Sequence, residues 1–289
     1  MRQACHDLGE RTKNAEIAFF GGSFTAIERG YMLSLLEAAK EFENTFAGIR
    51  ISTRPDAIDS DILALLKAYH VTSIELGAQS MADHVLVSNE RGHTAEDVIR
   101  ASRLIRANGF SLGLQMMTGL YGSDPETDWF TATEFIKLAP NTVRIYPTVI
   151  MRQTALEQLY LNGAYQPYSL EQSVDLCAKL ILLFEQHHIR VIRLGLHYSD
   201  SLVEQGYCDT YHPAFKELCE AKIFYHSFLE KTRLLESKNL TVTIHHRSLS
   251  KFLGQKKSNL KAFEEMGYHL NIVFDDSLAK YEIRIGVSV

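Results

Sequence analysis

Residues 49–78, IRISTRPDAIDSDILALLKAYHVTSIELGA, carry a strand, a helix and a second strand in a single run. IRIST (49–53) is rich in β-branched residues and stops at Arg54-Pro55, where proline removes a ladder N–H. SDILALLKAYH (60–70) spaces its apolar residues helically, with Asp59 or Ser60 placed to cap the first turn. TSIELGA (72–78) is extended again. A strand, a crossover helix and a strand within ~30 residues is the repeating unit of a parallel sheet.

The same rhythm runs outward in both directions. Upstream lie EIAFF (16–20), ended by Gly21-Gly22, and the helical pattern YMLSLLEAAKEF (31–42). Downstream, TAEDVIRASRLIRANG (94–109) opens with a Thr-x-x-Asp pattern close to a capping box and closes at Gly109. SLGLQMM (111–117), a helix around 125–138, and TVRIYP (142–147) continue the alternation. SLEQSVDLCAKLILLFEQHH (169–188) is a long helix with a second capping box at Ser169 and Gln172, and RVIRLGL (190–196) is a further strand. Strands buried by helices predict an α/β chain, first a partial (β/α) barrel and second a doubly wound open sheet. Trp129, the single tryptophan, falls on a helix face and is expected in the core.

Composition fits this class. Hydrophobic residues make 46% and charged residues 22% of 289, which excludes a disordered chain, a collagen and a coiled coil. The length lies between one large domain and two ordinary ones. No apolar run approaches the ~20 residues of a membrane helix, so no membrane partner is expected. The first residues lack an apolar signal core, and four scattered cysteines are too few for a disulfide framework, so a cytoplasmic setting is expected. The net charge of −5 hides an asymmetry: from Glu230 onward ten Lys/Arg face seven Asp/Glu, a net +3, leaving −8 for residues 1–229. Two domains are therefore expected, the part-barrel with its extension at 1–229 and a small basic α+β module at 230–289. In that tail LTVTIHH (240–246) and YHLNIVFDD (268–276) read as strands, SLSKFL (248–253) and SNLKAFEEM (258–266) as helices, and GQKK as a turn.

Ligands of β/α folds bind at the C-terminal ends of the strands. Polar residues and glycines gather there: Gly21-Gly22-Ser23, Arg54-Pro55-Asp56, Gln79-Ser80, Gln115 and Tyr146-Pro147, with Gly119 and Gly122 in a loop. Gly21-Gly22 permits close backbone approach to a ligand, or is a structural turn. Arg54 and Asp56 pair with each other or with a ligand carboxylate or phosphate. Gln79 and Gln115, unusual in apolar strands, need partners, either each other or a bound small molecule. The histidines, including His245-His246, show no spacing that supplies a third metal ligand, so no metal centre is expected.

Together GGSFT (21–25), STRPD (52–56), IELGAQSM (74–81), RGHTAEDV (91–98), LGLQMMTGL (112–120), VRIYPT (143–148) and YHPAF (211–215) resemble a radical S-adenosylmethionine (SAM) protein. The branch they are most similar to is that of the elongator catalytic subunit, which modifies wobble uridine in tRNA. The resemblance runs from about Glu16 to Phe228. It implies SAM bound across the strand tops. Gly21, Gly22 and Ser23 would hold the methionyl amino group, Gln79 and Arg91 would face the carboxylate or ribose, and Gln115 and Arg54 would add polar contacts. It implies a [4Fe-4S] cluster held by three cysteines in a CxxxCxxC-like run, because such clusters take thiolates. Only Cys5 precedes Gly21, while Cys177, Cys208 and Cys219 lie far downstream without ligand spacing. The cluster ligands are therefore expected to be absent from this chain, either as a fragment of a longer enzyme or as a shortened relative without radical chemistry. A partner or a missing segment would then complete the barrel beside EIAFF. No acetyltransferase domain of the elongator kind fits in the remaining length.

LGQKKSNLKAF (253–263) resembles the helix–GxxG–helix of KH domains, whose loop clamps single-stranded RNA, with Lys257 in place of the second glycine. Lys251, Gly254, Lys256, Lys257 and Lys261 would contact phosphates; the other reading is a solvated basic face on a structural cap. The expected function is a radical SAM enzyme acting on RNA, tRNA in particular. The rival is a non-catalytic RNA-binding or scaffold protein on a degenerate barrel.

Overall fold

The computed structural model describes residues 1–197, 199–207 and 211–288. Cys208 therefore lies outside the described residues. Two compact units divide the chain: Met1–Pro167 with Phe184–Leu194, and Tyr168–Leu183 with Gly195–Val289.

The first unit is built on six strands, β1 (Glu16–Phe19), β2 (Gly48–Thr53), β3 (Val71–Gln79), β4 (Ser111–Thr118), β5 (Thr142–Pro147) and β6 (Arg190–Leu194). Each strand pairs in parallel with the next, in the order β1-β2-β3-β4-β5-β6. A doubly wound sheet must reverse its strand order at a switch point. None occurs, so the sheet is the part-barrel type. Right-handed crossovers in one running direction keep the helices on one face.

Before β1 comes α1 (Arg2–Leu8), and between the strands run α2 (Arg29–Lys40), α3 (Ser60–Ala68), α4 (Asp83–Ser88), α5 (Ala95–Ala107), α6 (Pro125–Leu138) and α7 (Ala155–Leu161). Local chemistry sets their starts. Asp59, rather than Ser60, caps α3 by accepting from Ile62 N at 2.8 Å. Thr94 and Asp97 form a reciprocal capping box on α5. Asp124 caps α6 with Pro125 at its first position, where the missing N–H costs nothing. Trp129 does not enter the core: it is 38% exposed on α6, whose inner face is taken by Ala132 and Phe135.

The strands are not apolar on both faces. Ile51, Ile74, Leu76, Leu112, Leu114, Met116, Val143 and Ile145 are buried on one face, against a helix layer that supplies Leu36, Leu63, Leu66, Ile105 and Phe135. The alternate residues Arg50, Ser52, Glu75, Gln115 and Arg144 put polar groups on the other face, as the two-residue period of a strand requires.

The long helix α8 (Leu170–Gln186) begins with the Ser169–Gln172 box: Ser169 N donates to Gln172 Oε1 at 2.8 Å and Gln172 N to Ser169 Oγ at 3.2 Å. The second unit further holds α9 (Asp200–Gln205), α10 (Phe215–Thr232), β7 (Asn239–Ile244), α11 (Leu249–Leu253), α12 (Ser258–Glu265), β8 (His269–Phe274) and β9 (Ile283–Val287). Its sheet runs β8-β7-β9, with β8 parallel and β9 antiparallel to β7. The expected boundary at 229/230 falls inside α10, whose Phe224 and Phe228 join Val242, Phe252 and Phe263 in one buried cluster. Phe228 stacks on Phe263 at 3.9 Å between centroids.

Candidate functional site

The C-terminal ends of β2, β3 and β4 enclose a polar cavity of about 270 Å³. Of the residues singled out in the sequence, Gly22, Ser23, Arg54, Gln79, Arg91 and Gln115 line it, together with Ser52, Thr53, Gly77, Glu90 and His93. Gly21 is the exposed neighbour of Gly22. A larger cavity of about 610 Å³ is lined only by residues of α5 and α6 and by no strand residue. The strand-end cavity is the chemically equipped one.

Gly21 and Gly22 sit at φ +104° and +72°, and a Cβ at either would meet nothing within 4 Å. The turn is thus glycine-bound for its dihedrals, with open space above its backbone. It is anchored behind by Thr25, whose hydroxyl lies 2.6 Å from Thr53 Oγ1 and donates to Ala57 O at 2.7 Å. Gln79 ends β3 at φ +64°, where the register to β4 also shifts. Such a backbone on a non-glycine residue is a stored strain typical of ligand sites. Gly77 makes room for it, since a Cβ there would lie 2.9 Å from Gln79 Nε2.

Arg54 and Asp56 pair with each other: Arg54 Nε donates to Asp56 Oδ1 at 2.9 Å and Nη2 to the second oxygen. The Arg54 hydrogen bonds hold the Asp56 carboxyl below its usual range. Gln115 finds its partners in Ser52 and Glu75 rather than in Gln79. Its Nε2 donates to Ser52 Oγ at 3.1 Å and to Glu75 Oε2 at 2.9 Å, which leaves Oε1 as its remaining polar atom. Arg91 is half-buried, its Nη2 lies 3.3 Å from Met117 Sδ, and its buried Nε has no partner. Burial lowers its pKa. A buried guanidinium N–H without an acceptor is costly unless an anion or carbonyl completes it.

Sequence reasoning missed Glu75, the centre of the polar face beneath this cavity. It is 1% exposed and takes Arg144, Arg50 and Gln115. Arg50 also reaches Glu16, at 2.7 Å, and the Phe20 ring covers the Arg144 guanidinium at 4.7 Å. Burial works against the Arg144 charge, but its Glu75 bonds outweigh this and raise its pKa. The β4–α6 loop is held by buried Asp128, which accepts from Gly119 N at 2.9 Å and Ser123 Oγ at 2.6 Å. Tyr165 donates to Gly119 O at 2.6 Å, and burial pushes its phenol up to about 12.

In the second unit Lys256, Lys257 and Lys261 are exposed, and Lys256 and Lys257 both adopt positive φ. Lys251 instead pairs with buried Glu220 at 3.2 Å. Gly254 closes α11 at φ +75°.

Two family models match the chain: the Radical SAM superfamily over residues 3–132 and the Radical_SAM C-terminal domain over residues 140–224. The chain belongs to the radical SAM superfamily, a class of enzymes whose cofactors are SAM and a [4Fe-4S] cluster. Within it the similarity is to the elongator branch. The tRNA uridine(34) acetyltransferase of Dehalococcoides mccartyi is 27% identical over 238 residues, covering 75% of this chain and 52% of that protein. Elongator complex protein 3 of Dictyostelium discoideum is 28% identical over 263 residues, covering 83% of this chain and 46% of that protein. The chain thus spans about half the length of these curated relatives. The archaeal Methanocaldococcus infernus Elp3 with an N-terminal deletion shares the fold, with a TM-score of 0.66 and 24% identity over 81% of this chain and 57% of that one.

The strand-end cavity fits SAM: open glycine backbone at Gly21-Gly22, an orphan donor at Arg91 Nε for a carboxylate, and an oriented amide at Gln115. The residues do not fit the cluster. Among the described residues no three cysteines converge, and the Cys219 thiol, buried beside Cys177, has its pKa raised, the reverse of what a thiolate ligand needs. Among those residues no helix is long and apolar enough to cross a membrane.

Proposed function

We propose that this chain is the SAM-binding part-barrel of an elongator-like radical SAM enzyme that modifies tRNA in the cytoplasm. The observation that carries the reading is a polar strand-end cavity lined together by Gly22, Ser23, Gln79, Gln115 and the half-buried Arg91, whose Nε has no partner. The SAM carboxylate completes Arg91, the glycine backbone takes the amino group, and Gln115 Oε1 accepts from a ligand N–H or O–H. Gln79 and Arg54 complete the rim, with Asp56 keeping the Arg54 guanidinium in place. The chain's residues would bind and orient SAM; the electron that its reductive cleavage requires would have to come from a cluster that the described residues do not hold. The tRNA reading rests on the relatives' substrate and on the exposed lysines of the GQKK turn.

Calorimetric titration of the full chain with SAM tests this. Saturable one-site binding, weakened at least about tenfold by Arg91→Ala and by Gly22→Val, is expected, since each removes one of a few oriented contacts worth about 1.4 kcal/mol or more. Binding that both variants leave unchanged, or no binding, overturns it and returns the scaffold reading.

A further inference from the structure

His245 and His246 have no third ligand within reach along the sequence, but the fold supplies one. β7 and β8 pair in parallel with Ile244 opposite Phe274, and Asp275 N donates to Ile244 O at 3.0 Å. The residues that follow each strand, His245-His246 and Asp275-Asp276, therefore emerge side by side. The two imidazoles stack with centroids 4.7 Å apart and planes inclined by 29°. Both turn Nδ1 toward one carboxylate oxygen: His246 Nδ1 lies 2.5 Å and His245 Nδ1 3.8 Å from Asp276 Oδ1. The three potential ligand atoms all fall within 4.8 Å of one another.

Arg247 N donates to His245 Nδ1 at 3.1 Å, so that nitrogen carries a lone pair and the proton sits on Nε2. Arg247 is exposed, and water can replace that amide bond when an ion takes the lone pair. The His246 contact needs a shared proton between Nδ1 and Asp276, the proton that a bound cation displaces. Asp275 is spoken for, accepting from Ser277 N and Oγ and from Arg284. It shapes the turn and leaves Asp276 as the carboxylate ligand. Two imidazoles and a carboxylate are the donors of a borderline divalent ion, unlike the all-oxygen sets of magnesium and calcium. Bonds of about 2.0–2.2 Å place tetrahedral ligands about 3.4 Å apart, within side-chain rotation of the spacing found here.

We propose that His245, His246 and Asp276 bind one zinc-class divalent ion, with water in the fourth position, clamping the C-terminal ends of β7 and β8. The site lies wholly in the second unit and does not depend on the SAM reading.

The test uses the full chain, freed of any affinity tag and stripped with chelator, titrated with zinc chloride alone by calorimetry. One zinc per chain is expected at this site, with affinity reduced at least about tenfold in His246→Ala and in Asp276→Asn, as loss of a ligand or its partner entails. Both residues are exposed, so circular dichroism of the variants should match the parent. Cobalt(II) in place of zinc should give ligand-field bands without thiolate charge transfer, and zinc should raise the thermal midpoint of the parent only. Equal binding by parent and variants, a thiolate-dominated cobalt spectrum, or no zinc binding would overturn the proposal.

Discussion

The Glu75 carboxylate is clasped by the Arg144 guanidinium, which donates from Nε at 2.5 Å and from Nη2 at 3.0 Å across two strand positions. Arg50 adds a third bond at 3.1 Å and Gln115 a fourth at 2.9 Å, so this 1% exposed side chain organises the polar face below the strand-end cavity. Glu75→Gln keeps the volume but removes the charge, leaving two partly buried guanidinium groups facing an amide. Breaking one partner of a buried ion pair costs about 3–5 kcal/mol. Urea unfolding of the full chain should show a loss of that order. An unchanged midpoint would mean that water and Glu16 neutralise the arginines without Glu75.

Gly113 is what lets Glu75 reach its partners. It stands opposite Glu75 in the β3–β4 register, and a Cβ on it would lie 2.6 Å from Glu75 Cγ and 3.1 Å from Thr142 Oγ1. Gly113→Ala should therefore destabilise by about 1–3 kcal/mol, as overpacking does in a core that cannot shift. Gly286→Ala is the matched control, because a Cβ there meets nothing within 4 Å. Equal unfolding midpoints for the two variants would show that Glu75 relaxes freely.

Tyr165 gives a pH signature. Its phenol donates to Gly119 O, and burial followed by the nearby Asp128 charge raises its pKa from 10.0 to about 12. A raised folded-state value means the unfolded chain ionises first. The contribution is complete below pH 10 and is lost as the pH climbs from about 10 toward about 12. Phenolate absorbance during a titration should show a late component near pH 12 that Tyr165→Phe removes. That variant should also flatten the alkaline loss of stability.

The β/α rhythm was legible because several helices carry a local start signal, as Asp59, Thr94 and Asp124 do, and strands such as IRIST a β-branched run. The strand-top residues were legible by position, because a polar residue at the end of an apolar strand has few other reasons to be there. The Glu75 network was not, since Arg144 lies 69 residues away and the pairing exists only once β3, β4 and β5 are in register. The His245–His246–Asp276 cluster was hidden for the same reason, its third member arriving with β8 across 30 residues of chain. The polar face of β2 stayed hidden because Arg50 alone gives no sign of its partners Glu16 and Glu75. β9 escaped because a short strand near the chain end gains its identity from pairing with β7.

Lys256 and Lys257 separate RNA contact from structural support in the second unit. Both are exposed, whereas Lys251 is bound to Glu220, which also accepts from Tyr281 at 2.9 Å. If the turn meets the RNA backbone, each of the exposed lysines releases about one counterion on binding. Lys256→Glu and Lys257→Glu should each weaken tRNA binding across sequences and lower the slope of log affinity against log salt by about 1, with unfolding midpoints within about 0.5 kcal/mol of the parent. Lys251→Ala should do the reverse, costing stability by leaving buried Glu220 with one partner fewer while altering the salt slope little. Filter binding at a series of salt concentrations, beside urea unfolding, reads both. Unchanged slopes in the two glutamate variants would remove the turn from the RNA interface and leave these lysines as a solvated face.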